Sequence, residues 1–149
     1  MHYLLDTDIF TAFHYESVQK KEAAPITAHI ATLLADDEVY ISVVTVTEVM
    51  RGMLNLLQRM EKVGKDAQGL ADFERAYYAL QQFPLQSYDT EAHQFFSKFP
   101  PTIRRIGRPD CQIAAIALAR NLIVVTGNTR HFAQIPGVVC EDWTRPHLE

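Results

Sequence analysis

Short apolar runs rich in β-formers alternate here with stretches of helical periodicity, and few folds accommodate such an order. His2 to Leu5 reads as a strand, and the acidic turn Asp6-Thr7-Asp8 leads into a helix. A helix is expected around Ile26 to Ala35, then a second strand at Val39, Tyr40 and Ile41. From Thr45 to Met60 the apolar residues fall at helical spacing over more than one face. Gly64 and Gly69 flank a polar joint, and Phe73, Ala76, Tyr77 and Leu80 mark a second helix, so the two predict a helical hairpin.

The alternation then resumes. Leu85 to Tyr88 is a candidate third strand, and a helix from Thr90 to Phe99 stops at Pro100-Pro101. A basic loop, Ile103 to Arg108, precedes Pro109, which suits a first helical turn. Cys111 to Ala119 is apolar enough to be packed nearly all round, and Leu122 to Val125 is a buried strand. The fold class expected is α/β, a three-layer sandwich with a mostly parallel sheet covered by helices and a protruding hairpin. In such sheets ligands bind at the carboxyl ends of the strands.

The 149 residues, 48% hydrophobic and 21% charged, are enough for one domain with its own core, taken as residues 1–147. Leu148-Glu149 is set aside as a cloning scar. Cys111 and Cys140 stand apart, without zinc or disulfide spacing, which points to a reducing, cytoplasmic setting. No apolar run approaches the ~18 residues of a membrane span. A net charge of −4 argues against a protein that grips nucleic acid by bulk charge alone.

Three acids fall at comparable places. Asp6 ends the first strand, Glu48 lies early in the helix after the second, and Asp110 opens the late buried helix. Each has a plain structural alternative. Thr7 or the nearby Asp8 can cap a helix, Thr45 and Glu48 have capping-box spacing, and Asp110 suits the helix dipole. As a set, however, a doubly wound sheet gathers them. Clustered carboxylates repel unless hard divalent cations neutralise them, so the set reads as a magnesium site, with manganese as the alternative ion.

The segments LLDTDIF, SVVTVTEVMRG, GRPDCQIAAIALAR and IVVTGNTRHF, in this order, resemble the four sequence blocks of PIN-domain nucleases, and GVVCEDW is similar to the last strand of VapC-type toxins. The resemblance implies metal-dependent hydrolysis of RNA phosphodiesters. It assigns metal-site roles to Asp6, Glu48 and Asp110, and a catalytic position to Asn128, where many relatives carry a fourth acid. Asparagine lowers the charge and weakens the case for a second metal. Thr7 and Thr126 are secondary candidates for supporting hydroxyls, and Asp8 is a further secondary candidate that can face a metal.

Arg104, Arg105 and Arg108 precede Asp110, and Arg130-His131 follows Asn128. Both groups are expected to border the acids, with the four arginines contacting RNA phosphate. The six histidines show no zinc spacing and are read as surface residues, and Tyr77-Tyr78 and Phe95-Phe96 as core rather than base-stacking platforms. A haloacid-dehalogenase-like phosphatase shares the opening DxD pattern, but Phe10 stands where it places Thr or Val, and no lysine follows Lys98. The missing lysine also counts against a receiver domain. A PIN-like RNA-binding module without activity finds support in Asn128 alone. Met50, Met53, Leu54 and Leu57 give the hairpin more apolar surface than one sheet-facing stripe needs. A homodimer is therefore expected, with a groove for an antitoxin protein, which the resemblance to VapC-type toxins implies.

Overall fold

The computed structural model describes residues 1–19 and 24–146. The residues set aside as a scar lie outside them. Strand β1 (His2–Leu5) runs into helix α1 (Thr7–Gln19); α2 (Pro25–Ala31), β2 (Glu38–Ser42), α3 (Val43–Lys62) and α4 (Asp66–Leu80) follow. Next come β3 (Leu85–Gln86), α5 (Thr90–Lys98), α6 (Pro101–Arg104), α7 (Arg108–Arg120), β4 (Ile123–Val125), α8 (Thr129–Phe132) and β5 (Cys140–Glu141). The five strands form one sheet in the order β3-β2-β1-β4-β5, every pairing parallel. β1 is therefore central and the chain departs from it in both directions, which creates a switch point at its carboxyl end.

Alternate strand residues serve opposite faces, as a period of two requires. Leu4 and Val124 join Ile113, Ala114, Ile116 and Ala117 of α7 on one side. Tyr3, Leu5, Ile41 and Val125 join Ile9, Phe10 and Ile26 on the other, with Trp143 at the edge. Ile113 to Ile116 have no accessible surface, so α7 is indeed packed nearly all round. Its small alanines let it lie close to the sheet.

Helix termini account for several departures from the sequence expectation. The second helix stops at Ala31 rather than Ala35, because the chain turns at Thr32 and Asp37 accepts from the Leu34 amide. The Thr45/Glu48 capping box, the plain structural alternative for Glu48, does not form. Ser42 is the N-cap and its Oγ accepts from the Thr45 amide at 3.0 Å, which puts Thr45 inside the helix. The basic loop is partly helical: Pro101 nucleates α6, and Arg108 already belongs to α7. Gly107 joins the two helices at φ +125°, a conformation an L side chain rarely adopts. The third strand shrinks to two residues. Among the described residues no helix is long and apolar enough to cross a membrane.

Candidate metal centre at the carboxyl edge of the sheet

Asp6 is the first residue beyond β1, where its amide still bonds to the Val125 carbonyl at 2.9 Å, so the sheet fixes its position. Its carboxylate is 5% exposed and accepts two hydrogen bonds, from the Thr7 amide (2.7 Å) and the Thr126 hydroxyl (2.9 Å). Thr126 follows β4 and is fully buried; its Oγ1 also accepts from the Asn128 amide at 2.9 Å. One hydroxyl thus ties the ends of two neighbouring strands to the same acid.

Thr7 opens α1 and points its hydroxyl across to α3. It donates to Glu48 Oε1 at 2.7 Å and lies 3.1 Å from the Thr45 hydroxyl. The buried Ser42 and Thr45 pair therefore holds Thr7, and Thr7 holds Glu48. Asp8 is not the helix cap: it sits in the first turn, accepting from the Ile9 amide (2.7 Å) and the Gly127 amide (3.2 Å). A Cβ on Gly127 would stand 3.1 Å from Asp8 Oδ2, so any larger residue there would push the Asp8 carboxylate by a few tenths of an ångström.

Asp110 stands in the first turn of α7, and His131 Nδ1 of α8 lies 3.8 Å from its Oδ2. Asn128 Nδ2 is 2.6 Å from the same imidazole nitrogen, which leaves the amide oxygen as the group Asn128 can offer a ligand. The Arg130-His131 pair is expected from the sequence to border the acids, and His131 is the member of the pair that reaches them. Its place three residues after Asn128 is the signal that linked it to the site.

Asp6, Thr7, Asp8, Glu48, Asp110 and Asn128 line one open cleft of about 710 Å³, together with Thr11, Ala12 and Tyr15 of α1. The last three went unnoticed in the sequence, although Thr7, Thr11 and Tyr15 recur at the four-residue spacing of one helix face. Burial, then the charges of Asp8 and Asp110, push the Asp6 carboxyl up to about 7 against the opposing pull of Thr126 and Thr7. Asp110 is raised as well, by burial first and then by Glu48, with His131 pulling it down. The cleft is thus an electrostatic arrangement that needs positive charge.

Among the described residues no lysine or arginine lines that cleft. Arg104 donates to the Ser97 carbonyl at 3.0 Å, and its guanidinium lies 5.3 Å from the centre of the Phe96 ring, with Arg108 at 5.9 Å. Arg105 and Arg130 are exposed. The expected border of four arginines is therefore an outer surface and not part of the cleft wall.

The donor set suits a hydrated hard cation. Its ligating groups are oxygens, which favours magnesium or manganese over softer ions. Among the described residues no three acidic, histidine or cysteine groups converge into a ready-made cage. Magnesium tolerates that spacing, because it keeps several waters and takes one or two carboxylates directly.

The PIN domain model matches residues 3–138, and the chain belongs to the PIN-domain family. Ribonuclease VapC1 of Haemophilus influenzae is 26% identical over 149 residues, covering 97% of this chain and 100% of the relative. The tRNA(fMet)-specific endonuclease VapC of Salmonella typhimurium is 42% identical over 60 residues, 38% of this chain and 46% of the relative. Among solved structures, DNA-bound VapBC from Salmonella typhimurium aligns with a TM-score of 0.70 at 27% identity, over 96% of this chain and 98% of that one. VapBC2 from Rickettsia felis, bound to a promoter DNA fragment, gives 0.72 at 21% identity over 96% and 99%.

Proposed function

We propose that this chain is a magnesium-dependent endoribonuclease and the toxin of a toxin–antitoxin pair, with manganese as an alternative ion. One observation carries the reading: a buried carboxylate, Asp6, held at the switch point of a parallel sheet among Asp8, Glu48 and Asp110, in a cleft without a cation. Relatives named as ribonucleases and structural neighbours that are VapBC complexes point the same way.

Asp6, Glu48 and Asp110 would hold the cation, with Asn128 contributing its amide oxygen. When bound, that cation supplies an activated water at neutral pH and charge stabilisation for in-line displacement at phosphorus. The chain's own residues do the positioning. Thr126 and the Thr7 amide fix both oxygens of Asp6, and the Thr7 hydroxyl aims Glu48. His131 orients Asn128 through its Nδ1, which also lies 3.8 Å from Asp110 Oδ2. Arg104, Arg105, Arg108 and Arg130 serve as an outer path for RNA phosphates. Digestion of single-stranded RNA by the purified protein is expected with magnesium and absent with EDTA. In the same system, replacing Arg104 and Arg105 by alanine is expected to lower the salt dependence of binding by roughly 0.7 per lost contact. Cleavage that persists in EDTA refutes the metal reading.

The hairpin of α3 and α4 supports the partner half of the proposal. Met50, Leu54, Leu70, Tyr77 and Tyr78 are all more than one-third exposed. We assign this surface to a homodimer contact and to an antitoxin chain. Light scattering at micromolar concentration is expected to give twice the mass of one chain, and a monomer rejects the dimer.

A further inference from the structure

A second cleft, of about 280 Å³, opens beside the acidic one and shares Thr11 and Tyr15 with it. Its remaining walls are His14 of α1, Met53 and Leu56 of α3, and Asp72 and Arg75 of α4. The chemistry changes sharply across the shared rim. One side holds four carboxylates and, among the described residues, no cation; the other adds to the shared Tyr15 an apolar floor, one carboxylate and a guanidinium.

We propose that this second cleft is a nucleotide subsite, taking the base next to the scissile phosphate against Tyr15 while Arg75 holds the following phosphate. The inference rests on the nuclease reading and names where its substrate is gripped. Acids repel a polyanion, so a cation beside the cleft, inside the outer path of the surface arginines, favours the flanking chain. Among the described residues Arg75 is the cation that lines this pair of clefts; Arg104 and Arg108 lie against the Phe96 ring.

Tyr15 is 58% exposed at the junction of the two clefts. Single-stranded RNA is commonly read this way, with bases splayed onto aromatic side chains and apolar surface. Met53 and Leu56 give the base an apolar floor. The His14 ring, stacked on Phe10 with planes 6° apart, is fixed in place. Burial and the neighbouring Arg75 keep its imidazole below the ordinary range, so near neutral pH it offers one donor and one acceptor to a base edge. Asp72 pairs with Arg75 at 3.5 Å and orients the guanidinium, whose side chain remains 57% exposed.

The test separates base from phosphate and does not depend on cleavage. Two fluorescent probes are titrated in EDTA: a chain of twelve uridines and an equally long chain of abasic spacer phosphates. Tyr15→Ala is expected to weaken uridine binding roughly five- to hundredfold, the range for one aromatic–base stack, and to leave the abasic chain unchanged. Tyr15→Phe should bind both as the parent does. Arg75→Gln is expected to weaken both probes and lower the salt slope by roughly 0.7. Equal weakening of both probes by Tyr15→Ala, or of neither, overturns the subsite. So does loss of binding to a protein inhibitor with both probes unaffected. Cleavage of RNA by the parent in magnesium is scored separately, so failure of the nuclease reading is told apart from failure of this one.

Discussion

Asp6→Asn and Asp110→Asn are each expected to lower RNA cleavage by roughly a thousandfold or more without unfolding the protein. Loss of a cation's Lewis-acid contribution removes several kcal/mol of transition-state stabilisation, and every 1.36 kcal/mol is tenfold in rate. The fold survives because the replaced groups keep their partners. An asparagine at position 6 still accepts from the Thr7 amide, and its NH₂ meets Thr126, whose hydroxyl can turn to accept. Asp110 is less buried and stands in the first turn of α7, where asparagine is well tolerated. The measurements are single-turnover cleavage with magnesium and thermal unfolding in EDTA. Cleavage at the parent rate in either variant rejects its carboxylate as a metal ligand, and unfolding at ordinary temperature makes it a structural hydrogen-bond acceptor instead.

The architecture was readable where periodicity was strong. β1, β2, β4 and the hairpin follow from apolar spacing, because each buries a defined face. Leu85 to Tyr88 reads as a longer strand than it is, since an edge strand paired on one side needs only two residues in register, Leu85 and Gln86. α6 and α8 are four residues each, too short for any hydrophobic period to appear. The shortened α2 was lost for a different reason. Its end is followed by a turn in which the Leu34 amide donates to the Asp37 carboxylate, a bond that composition does not announce.

The acids of the site were legible because the sheet topology implies that residues after β1, after β2 and at the start of α7 converge. What tethers them was not. Thr45 carries the same local spacing in a capping box as in its actual role behind Thr7, and only the register of β1 against β2 decides between them. The direction of the arginines was not legible for a related reason. Nearness in sequence to Asp110 does not set direction, and the Phe96 ring captures both Arg104 and Arg108. Arg75, 35 residues from Asp110 in the chain, reaches the adjoining cleft because α4 folds back along α3.

Metal-free protein is expected to lose stability as pH rises from 5 to 8, and magnesium is expected to reverse the trend. A carboxyl raised from 3.8 to about 7 by folding binds its proton more tightly in the native state. Stability is then greatest below the unfolded value and falls until pH passes the folded one, by up to about 4 kcal/mol. Asp110 is raised too and works in the same direction. Asp37, Asp89 and Asp142 are lowered, so their contribution is lost as pH falls below the ordinary carboxylate range, outside this window. His14 opposes the trend: its lowered pKa makes the native state resist protonation, which adds stability as pH rises through its range. Comparison with Asp6→Asn isolates the acid, because His14 is common to both proteins. Denaturant melts at pH 5 and 8 in EDTA should therefore show a steeper loss in the parent than in Asp6→Asn. The variant should be the more stable of the two at pH 8. Saturating magnesium adds roughly 2.7 kcal/mol at a hundred times its Kd, and it does so at pH 8, where the carboxylates are ionised. The same pH slope in both proteins would show that Asp6 does not carry the repulsion on which the metal reading stands.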